Sequence, residues 1–170
     1  MNLSSVSRCI SLAVCFSCLA SCGYTLQTKA NLPFETIAIG KIENKTSEPK
    51  LQDKLNRILA ESFMEYGISI SPSSRFIVEG DITQFYLRVL AEQSLTASQY
   101  EVVIRTNFRI VDSEKGTVIS LTDVKSPFMT SFNATQALED VLVQKDFATD
   151  KALLDLSQEL VRRLIYKVKK

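Results

Sequence analysis

The sequence predicts an α/β (α+β) fold, a two-layer sandwich in which two helices pack on one face of a mixed, mainly antiparallel sheet of about four strands. Two segments carry apolar residues at helical spacing, and several segments between them alternate apolar and polar residues with the period of a strand. Two helices that each carry one apolar stripe need a shared apolar surface, which one face of an alternating sheet supplies.

A short apolar run opens the chain. Cys9 to Ala20 is uncharged and mostly apolar, which fits the 7–15 residues of a signal-peptide core and is shorter than the ~20 residues that span a bilayer. The run ends in Leu19-Ala20-Ser21-Cys22, which resembles the bacterial lipobox. We therefore expect residues 1–21 to be a removed lipoprotein signal peptide, and Cys22 to carry S-diacylglycerol and N-acyl groups such as palmitate.

The distribution of cysteines supports this interpretation. All four cysteines lie in the first 22 residues, so that cleavage removes three of them and acylation uses Cys22. Two alternatives are an ordinary cleaved signal and a buried helix, although the run has no 3.6-residue stripe. A Cys-x2-Cys metal site is not expected, because the chain has no histidine and these cysteines lie in a targeting segment.

Residues 22–33 are predicted to be a lipidated N-terminus and tether, followed by one domain over residues 34–170. Alternating residues predict a first strand over Phe34 to Ile42. A helix is expected from Pro49 to Tyr66, with Thr46 or Ser47 as its N-cap and Gly67 as its stop. Its apolar stripe comprises Leu51, Leu55, Ile58, Leu59, Ser62, Phe63 and Tyr66.

Further strands follow this helix. Ile68-Ser69-Ile70 is a short extended piece, and Arg75 to Val89 is a long strand whose alternation changes phase near Gln84, which indicates a bulge. Ala91 to Ser98 is predicted to be a polar connection. The remaining prediction comprises a strand over Tyr100–Asp112, a hairpin turn to Gly116, a strand over Thr117–Lys125, an irregular segment over Ser126–Phe132, and a helix from about Asp146 to Val168.

Composition excludes several classes of function. Removal of residues 1–21 takes away Arg8 and no acid, which lowers the net charge from +1 to about zero and argues against nucleic-acid binding. The absence of histidine excludes a Ser-His-Asp triad, and five scattered glycines form no phosphate-binding loop. Glu79 and Asp81 have the spacing of paired carboxylates on a strand, so a lipid-anchored hydrolase is the enzymatic alternative. A solvated sheet face is the plainer explanation, and we expect no enzyme.

The chain carries an ordered set of short motifs. The set begins with Cys22-Gly23-Tyr24-x-Leu26, Leu32-Pro33 and Ile37-x-Ile39. It continues with Glu43-Asn44-Lys45-Thr46, Glu48-Pro49, the helix closed by Gly67, Val78-x-Gly80-x-Ile82 and the Tyr100–Asp112 strand with its Gly116 turn. This ordered set resembles the LptE-type lipopolysaccharide-assembly lipoproteins, and the resemblance covers essentially the whole chain after the signal peptide.

The resemblance implies an outer-membrane lipoprotein on the periplasmic face, held by the acyl groups on Cys22. Such a protein plugs the large LptD β-barrel, assists its assembly and helps to deliver lipopolysaccharide to the outer leaflet, without catalysis and without a cofactor. Gly23 leaves sorting to the outer membrane open, since Asp at that position is an inner-membrane retention signal in enteric bacteria. A chaperone or pilotin for another outer-membrane complex is the alternative function.

The resemblance also implies lipopolysaccharide contact through basic residues before the central hairpin and before the last helix. Leu90 to Gln99 and Asn133 to Gln144 contain no basic residue here. The candidates for phosphate contact are therefore Arg88, Arg105, Arg109 and Lys145, with solvated sheet and loop charge as the alternative interpretation. The polar face of the Tyr100–Asp112 strand and the Ala91–Gln99 segment are the expected barrel contacts.

Overall fold

Six strands and two helices form the domain, in a computed structural model that describes residues 34–93, 96–126, 129–134 and 138–168. The predicted signal peptide, the tether and Cys22 lie outside the described residues. The elements are β1 (Thr36–Asn44), α1 (Leu51–Glu65), β2 (Ser69–Ile70), β3 (Phe76–Gln93), β4 (Thr96–Asp112), β5 (Val118–Lys125), β6 (Thr130–Asn133) and α2 (Leu138–Val168).

The strands form one mixed sheet in the order β2-β1-β3-β4-β5, with β6 paired to β4 beyond the end of β5. Strand β1 runs parallel to β2 and β3, and the other pairs are antiparallel. The predicted fold class is therefore confirmed. The sheet has six strands rather than about four, because β2 and β6 are two and four residues long and too short to show an alternation.

Both helices lie on the same face of the sheet, as predicted. They run in the same direction side by side, since Lys54 of α1 contacts Asp150 of α2 at 2.8 Å and Glu65 accepts a hydrogen bond from Gln158 at 3.2 Å. Burial of each large apolar side chain contributes roughly 1.5–3 kcal/mol to folding. The fully buried side chains of this core include Leu55, Leu59, Phe63, Ile37, Ile82, Ile110, Leu153, Leu156, Leu160 and Leu164.

The two helices begin at other residues than predicted. The N-cap of α1 is Lys50, in the left-handed region at φ 61°, and it makes no side-chain capping bond. Thr46 is not the cap, because its amide and hydroxyl donate to the Asn44 side chain at 3.0 and 2.7 Å and build the turn after β1. Helix α2 begins at Leu138 rather than near Asp146. Its first turns carry exposed apolar residues, so that the apolar residues there do not form one stripe at helical spacing.

The predicted phase change in the long strand is confirmed. The register between β3 and β4 shifts between Ile82 and Gln84, so that Phe85 turns to the same side as Ile82. The polar connection predicted over Ala91 to Ser98 is wrong, because β3 continues to Gln93 and β4 already begins at Thr96. No helix covers this end of the hairpin closely enough to require an apolar alternation, since Val89 and Leu90 stay exposed.

Candidate partner-binding surface

The face of the sheet that points away from the helices is polar. On β4, Arg105, Asn107 and Arg109 alternate with the buried Thr106, Phe108 and Ile110. Neighbouring strands follow the same alternation in register with β4. We call this surface the outer face. Its polar and charged residues are Lys41, Glu43, Lys45, Glu79, Asp81, Arg88, Glu101, Arg105, Asn107, Arg109, Ser120, Thr122, Asp123 and Lys125, and the cross-strand pair of Tyr86 and Val103 lies among them.

Two arginines on β4 each pair with a carboxylate on a neighbouring strand. The Nε of Arg109 donates to Oε2 of Glu79 at 2.7 Å, and this hydrogen bond raises the pKa of Arg109. Arg105 contacts Asp123 at 3.0 Å. Asp123 lies at a bulge with φ 50°, where its amide donates to the Asn107 side chain at 2.9 Å. The bulge thereby holds the Asp123 carboxylate beside Arg105.

Two further ion pairs lie on the β1 side of the outer face. Lys45 contacts Asp81 at 3.0 Å, and Lys41 contacts Glu43 two residues along β1. The hydrogen bond from Lys41 lowers the pKa of Glu43 and raises that of Lys41. Each basic side chain on this side therefore has its own acidic neighbour.

A fifth pair lies nearer the end of the hairpin. The Nε of Arg88 donates to Oε2 of Glu101 at 2.6 Å, and Glu101 is only 8% exposed. Arg88 and Glu101 are directly opposite in the β3–β4 register. With this pair, five cations of the outer face are each matched by a carboxylate. Lys125, directly opposite Arg105 in the β4–β5 register, has no ion pair among the described residues, so that the outer face is nearly balanced, with a net charge of about +1.

A shallow groove of about 400 Å³ crosses the outer face between β1 and β5. Charged side chains of Lys41, Glu43, Lys45, Asp81 and Arg109 line it together with polar ones of Asn107, Ser120 and Thr122. The groove offers hydrogen-bond donors and acceptors over the width of four strands. Such a surface suits an extended polar partner better than an apolar ligand.

The four predicted phosphate contacts do not form one cluster. Arg88, Arg105 and Arg109 lie on the outer face, whereas Lys145 lies on the helix side, 5.4 Å from the centre of the Phe85 ring. Lys145 also donates to both carboxylate oxygens of Glu48 at 2.7 and 2.8 Å. All four cations are therefore paired with carboxylates, and their contact with lipopolysaccharide stays a prediction.

One strong ion pair was not predicted from the sequence. Arg75 before β3 binds both carboxylate oxygens of Asp112 at the end of β4, at 2.7 and 2.6 Å. These bonds, with the backbone amides of Glu114 and Lys115, hold the pKa of Asp112 well below its usual range. The two residues are 37 positions apart, so that only the strand pairing Phe76–Asp112 brings them together.

The carboxylates considered for catalysis are engaged in ion pairs. Glu79 faces Arg109, and Asp81 faces Lys45. Among residues 34–93, 96–126, 129–134 and 138–168, no group of three or more acidic side chains could hold a metal ion. Within the same part of the chain, neither helix has the length and apolar character needed to cross a membrane.

The fold and the outer face define a small α+β domain with an exposed, nearly charge-balanced polar surface as its candidate site. The chain belongs to the LptE family, described as lipopolysaccharide-assembly, whose family model it matches over residues 34–168. Membership supports a role in lipopolysaccharide assembly. No curated protein matches the sequence significantly.

Solved structures share the fold at low identity. Rare lipoprotein B from Shewanella oneidensis has a TM-score of 0.51 at 7% identity, over 78% of this chain and 95% of its own. Protein XCC0632 from Xanthomonas campestris has a TM-score of 0.55 at 13% identity, over 78% of this chain and 84% of its own. At these identities the two structures support the fold alone.

Proposed function

We propose that this protein is a non-enzymatic plug of an LptD-type outer-membrane β-barrel, whose assembly it assists for the insertion of lipopolysaccharide in the outer leaflet. The observation that carries the proposal is the outer face, on which five of six cations are paired with carboxylates. Family membership supplies the context of lipopolysaccharide assembly.

The outer face matches the chemistry of a barrel interior. The lumen of an outer-membrane barrel is polar and wet, so that a plug surface needs hydrogen-bonding groups rather than apolar ones. Exposed ion pairs are each worth about 0–1 kcal/mol. Arg105 and Asp123, for example, are 39% and 55% exposed. The side chains of such pairs readily exchange each other for polar groups of the barrel. The order of their charges along the strands sets the orientation of the bound plug.

Acylation of Cys22 places the domain at the membrane in this proposal. One acyl chain gives only marginal binding, whereas two or three hold a protein stably. The tether of residues 22–33 extends to at most about 40 Å, since an extended chain spans about 3.3–3.6 Å per residue. The domain therefore stays near the periplasmic face of the outer membrane.

Direct contact with lipopolysaccharide is a separate part of the proposal. Each of Arg88, Arg105, Arg109 and Lys145 already binds a carboxylate, which weakens its attraction for a phosphate group. Arg88 and Arg109 are 58% and 63% exposed and keep further N–H donors, so that they are the stronger candidates for lipopolysaccharide contact.

Recovery of complexes from cells tests the proposal. We expect the tagged full chain, extracted in gentle detergent, to bring down a large LptD-type barrel. Asp81→Lys, which leaves four cations and one carboxylate around the groove, should lower this recovery several-fold. Asp53→Lys is the matched control: it reverses the charge of an exposed aspartate on α1 and should leave the recovery of the barrel unchanged.

The result decides between the functions considered. Recovery of the chain alone would contradict the plug, and recovery of a different outer-membrane assembly would identify a chaperone or pilotin. A Cys22→Ser chain that sorted and bound the barrel normally would show that acylation is dispensable for placement.

A further inference from the structure

The N-terminal half of α2 exposes large apolar side chains on the side opposite to the core. Val143, Phe147 and Leu154 are 69%, 74% and 38% exposed. Their spacing of four and seven residues places them on one side of the helix. Asp140 and Lys151 lie on the same side, which we call the α2 ridge: Asp140, Val143, Phe147, Lys151 and Leu154.

The proposed plug function does not account for the α2 ridge. Single exposed apolar residues are common on protein surfaces, whereas a continuous exposed strip marks an interaction site. A polar barrel lumen offers no apolar surface to cover Phe147. Another occupant is therefore required, and the charges around the ridge indicate its chemistry.

A lipid surface does not fit these charges. Helices that lie in a membrane interface carry Lys and Arg on their polar side. Here the acidic Glu139, Asp140, Asp146 and Asp150 surround Val143 and Phe147. Asp146 and Asp150 are paired with Lys54, and Lys151 is the one cation among the five ridge residues. The ridge therefore lacks the basic polar side of a membrane-interface helix and is better suited to a protein surface.

The ridge is complementary to itself. Neither Asp140 nor Lys151 forms an ion pair with any residue that the structure describes. They are 11 positions apart and therefore about 16 Å apart along the helix, at 1.5 Å per residue, which prevents them from pairing within one chain. Two ridges packed antiparallel bring Asp140 of each copy opposite Lys151 of the other.

We propose that the α2 ridge is a self-association surface on which two copies of this chain pack antiparallel about a twofold axis. The axis passes between positions 145 and 146, and Phe147 of each copy packs against the Val143 turn of its partner. The same patch then serves both copies, as in an isologous dimer.

The size of the ridge indicates a reversible pair. A strip of this kind is comparable to the roughly 300–600 Å² of a typical largest apolar patch, below the ~800 Å² per partner of a standard stable interface. Burial of Phe147 supplies most of the affinity. The two ion pairs are exposed, and they select the antiparallel orientation rather than adding much strength.

Two differently tagged full-length chains expressed in the same cells test the proposal. We expect one tag to recover the other after gentle detergent extraction, including when the barrel partner is depleted. Phe147→Asp should lower this recovery about tenfold. Met64→Asp, at an exposed apolar residue of α1, should have no effect.

A charge exchange identifies the geometry. Asp140→Lys and Lys151→Glu should each lower recovery, and the double variant should restore it, because both copies then carry the reversed pair. If the ridge bound a different, basic protein instead of a second copy, the double variant would not restore the recovery. No recovery for the natural pair, recovery that requires the barrel, insensitivity to Phe147→Asp, or failure of the double variant would overturn the proposal.

Discussion

Gly80 lies where β3 passes close to a buried aromatic ring. A Cβ at this position would lie 2.5 Å from Cδ1 of Phe108 and 2.9 Å from the backbone oxygen of Asn107. Phe108 is 3% exposed, so that its ring has little room to move. The absence of a side chain at Gly80 thus lets the core close beneath the outer face.

Gly80→Ala is therefore expected to destabilise the domain by about 1–3 kcal/mol, the usual cost of overpacking. Unfolding in urea measures the change. Gly40→Ala is the comparison variant: its Cβ would also come within 2.9 Å of Glu79 and Ile77, but these nearest atoms belong to partly exposed side chains, so that a smaller loss of stability is expected. Equal stability of the two variants would contradict this account of Gly80.

Asp112 predicts a specific response to acid. Its hydrogen bonds to Arg75 lower its pKa in the folded state. A lowered folded-state pKa gives a stabilising contribution that is complete above the ordinary aspartate pKa of about 4 and is lost as the pH falls towards the folded value. Asp112→Asn should therefore be less stable at neutral pH, with a flatter loss of stability below about pH 4.

Urea midpoints measured from pH 7 to pH 2 test this expectation. Asp53→Asn, which changes an exposed aspartate of α1 that binds no arginine among the described residues, should keep the acid response of the natural chain. If the urea midpoints of Asp112→Asn and of the natural chain fell identically with pH below about pH 4, the Arg75–Asp112 pair would contribute nothing to the loss of stability in acid.

At the scale of residues, local signals could be predicted and distant partners could not. Gly67 ends α1 at φ 84°, as expected from its place after the apolar stripe. The ion pairs Arg109–Glu79 and Lys145–Glu48 join residues 30 and 97 positions apart. Their formation depends on the register of strands and the placement of helices, which spacing along the chain does not determine.

The start of α1 is a weak point of an otherwise regular element. Lys50 adopts the left-handed conformation at φ 61° and ψ 11°, without a side-chain bond to the helix. A non-glycine residue pays roughly 1–2 kcal/mol for this conformation. The proline and acid ahead of the helix predicted its beginning within two residues, but not the turn that precedes it.

Lys50→Gly should consequently stabilise the domain by roughly 0.5–1 kcal/mol, after the larger chain entropy of glycine in the unfolded state is subtracted. Gln52→Gly, two residues further on and within α1, should instead destabilise it by roughly 0.5–1 kcal/mol. Free energies of unfolding from urea titrations compare the two. A loss of stability in both variants would show that Lys50 is not strained.

Elements with a buried face could be predicted well from the sequence, and those without one could not. The stripe from Leu153 to Ile165 placed the second half of α2 correctly. Its first turns were missed because Leu138 and Phe147 are apolar yet exposed. The same reason applies to the end of the β3–β4 hairpin, where no burial imposes an alternation on Val89 and Leu90.

The whole molecule separates two kinds of surface on opposite sides of one core. The outer face is polar and nearly charge-balanced, which suits a wet lumen, whereas the α2 ridge is apolar with complementary charges at its ends. The composition predicted a net charge near zero for the domain. The pairing of five of the six outer-face cations with carboxylates is a property of the folded sheet.

Photocrosslinking in cells tests the central claim most directly, with a photoreactive residue at Thr122 in the groove of the outer face and at Met64 on exposed α1. Our account predicts an adduct of this chain with an LptD-type barrel from Thr122, much stronger than any from Met64. No barrel adduct from Thr122, or equal adducts from both positions, would contradict the assignment of the outer face to the barrel lumen.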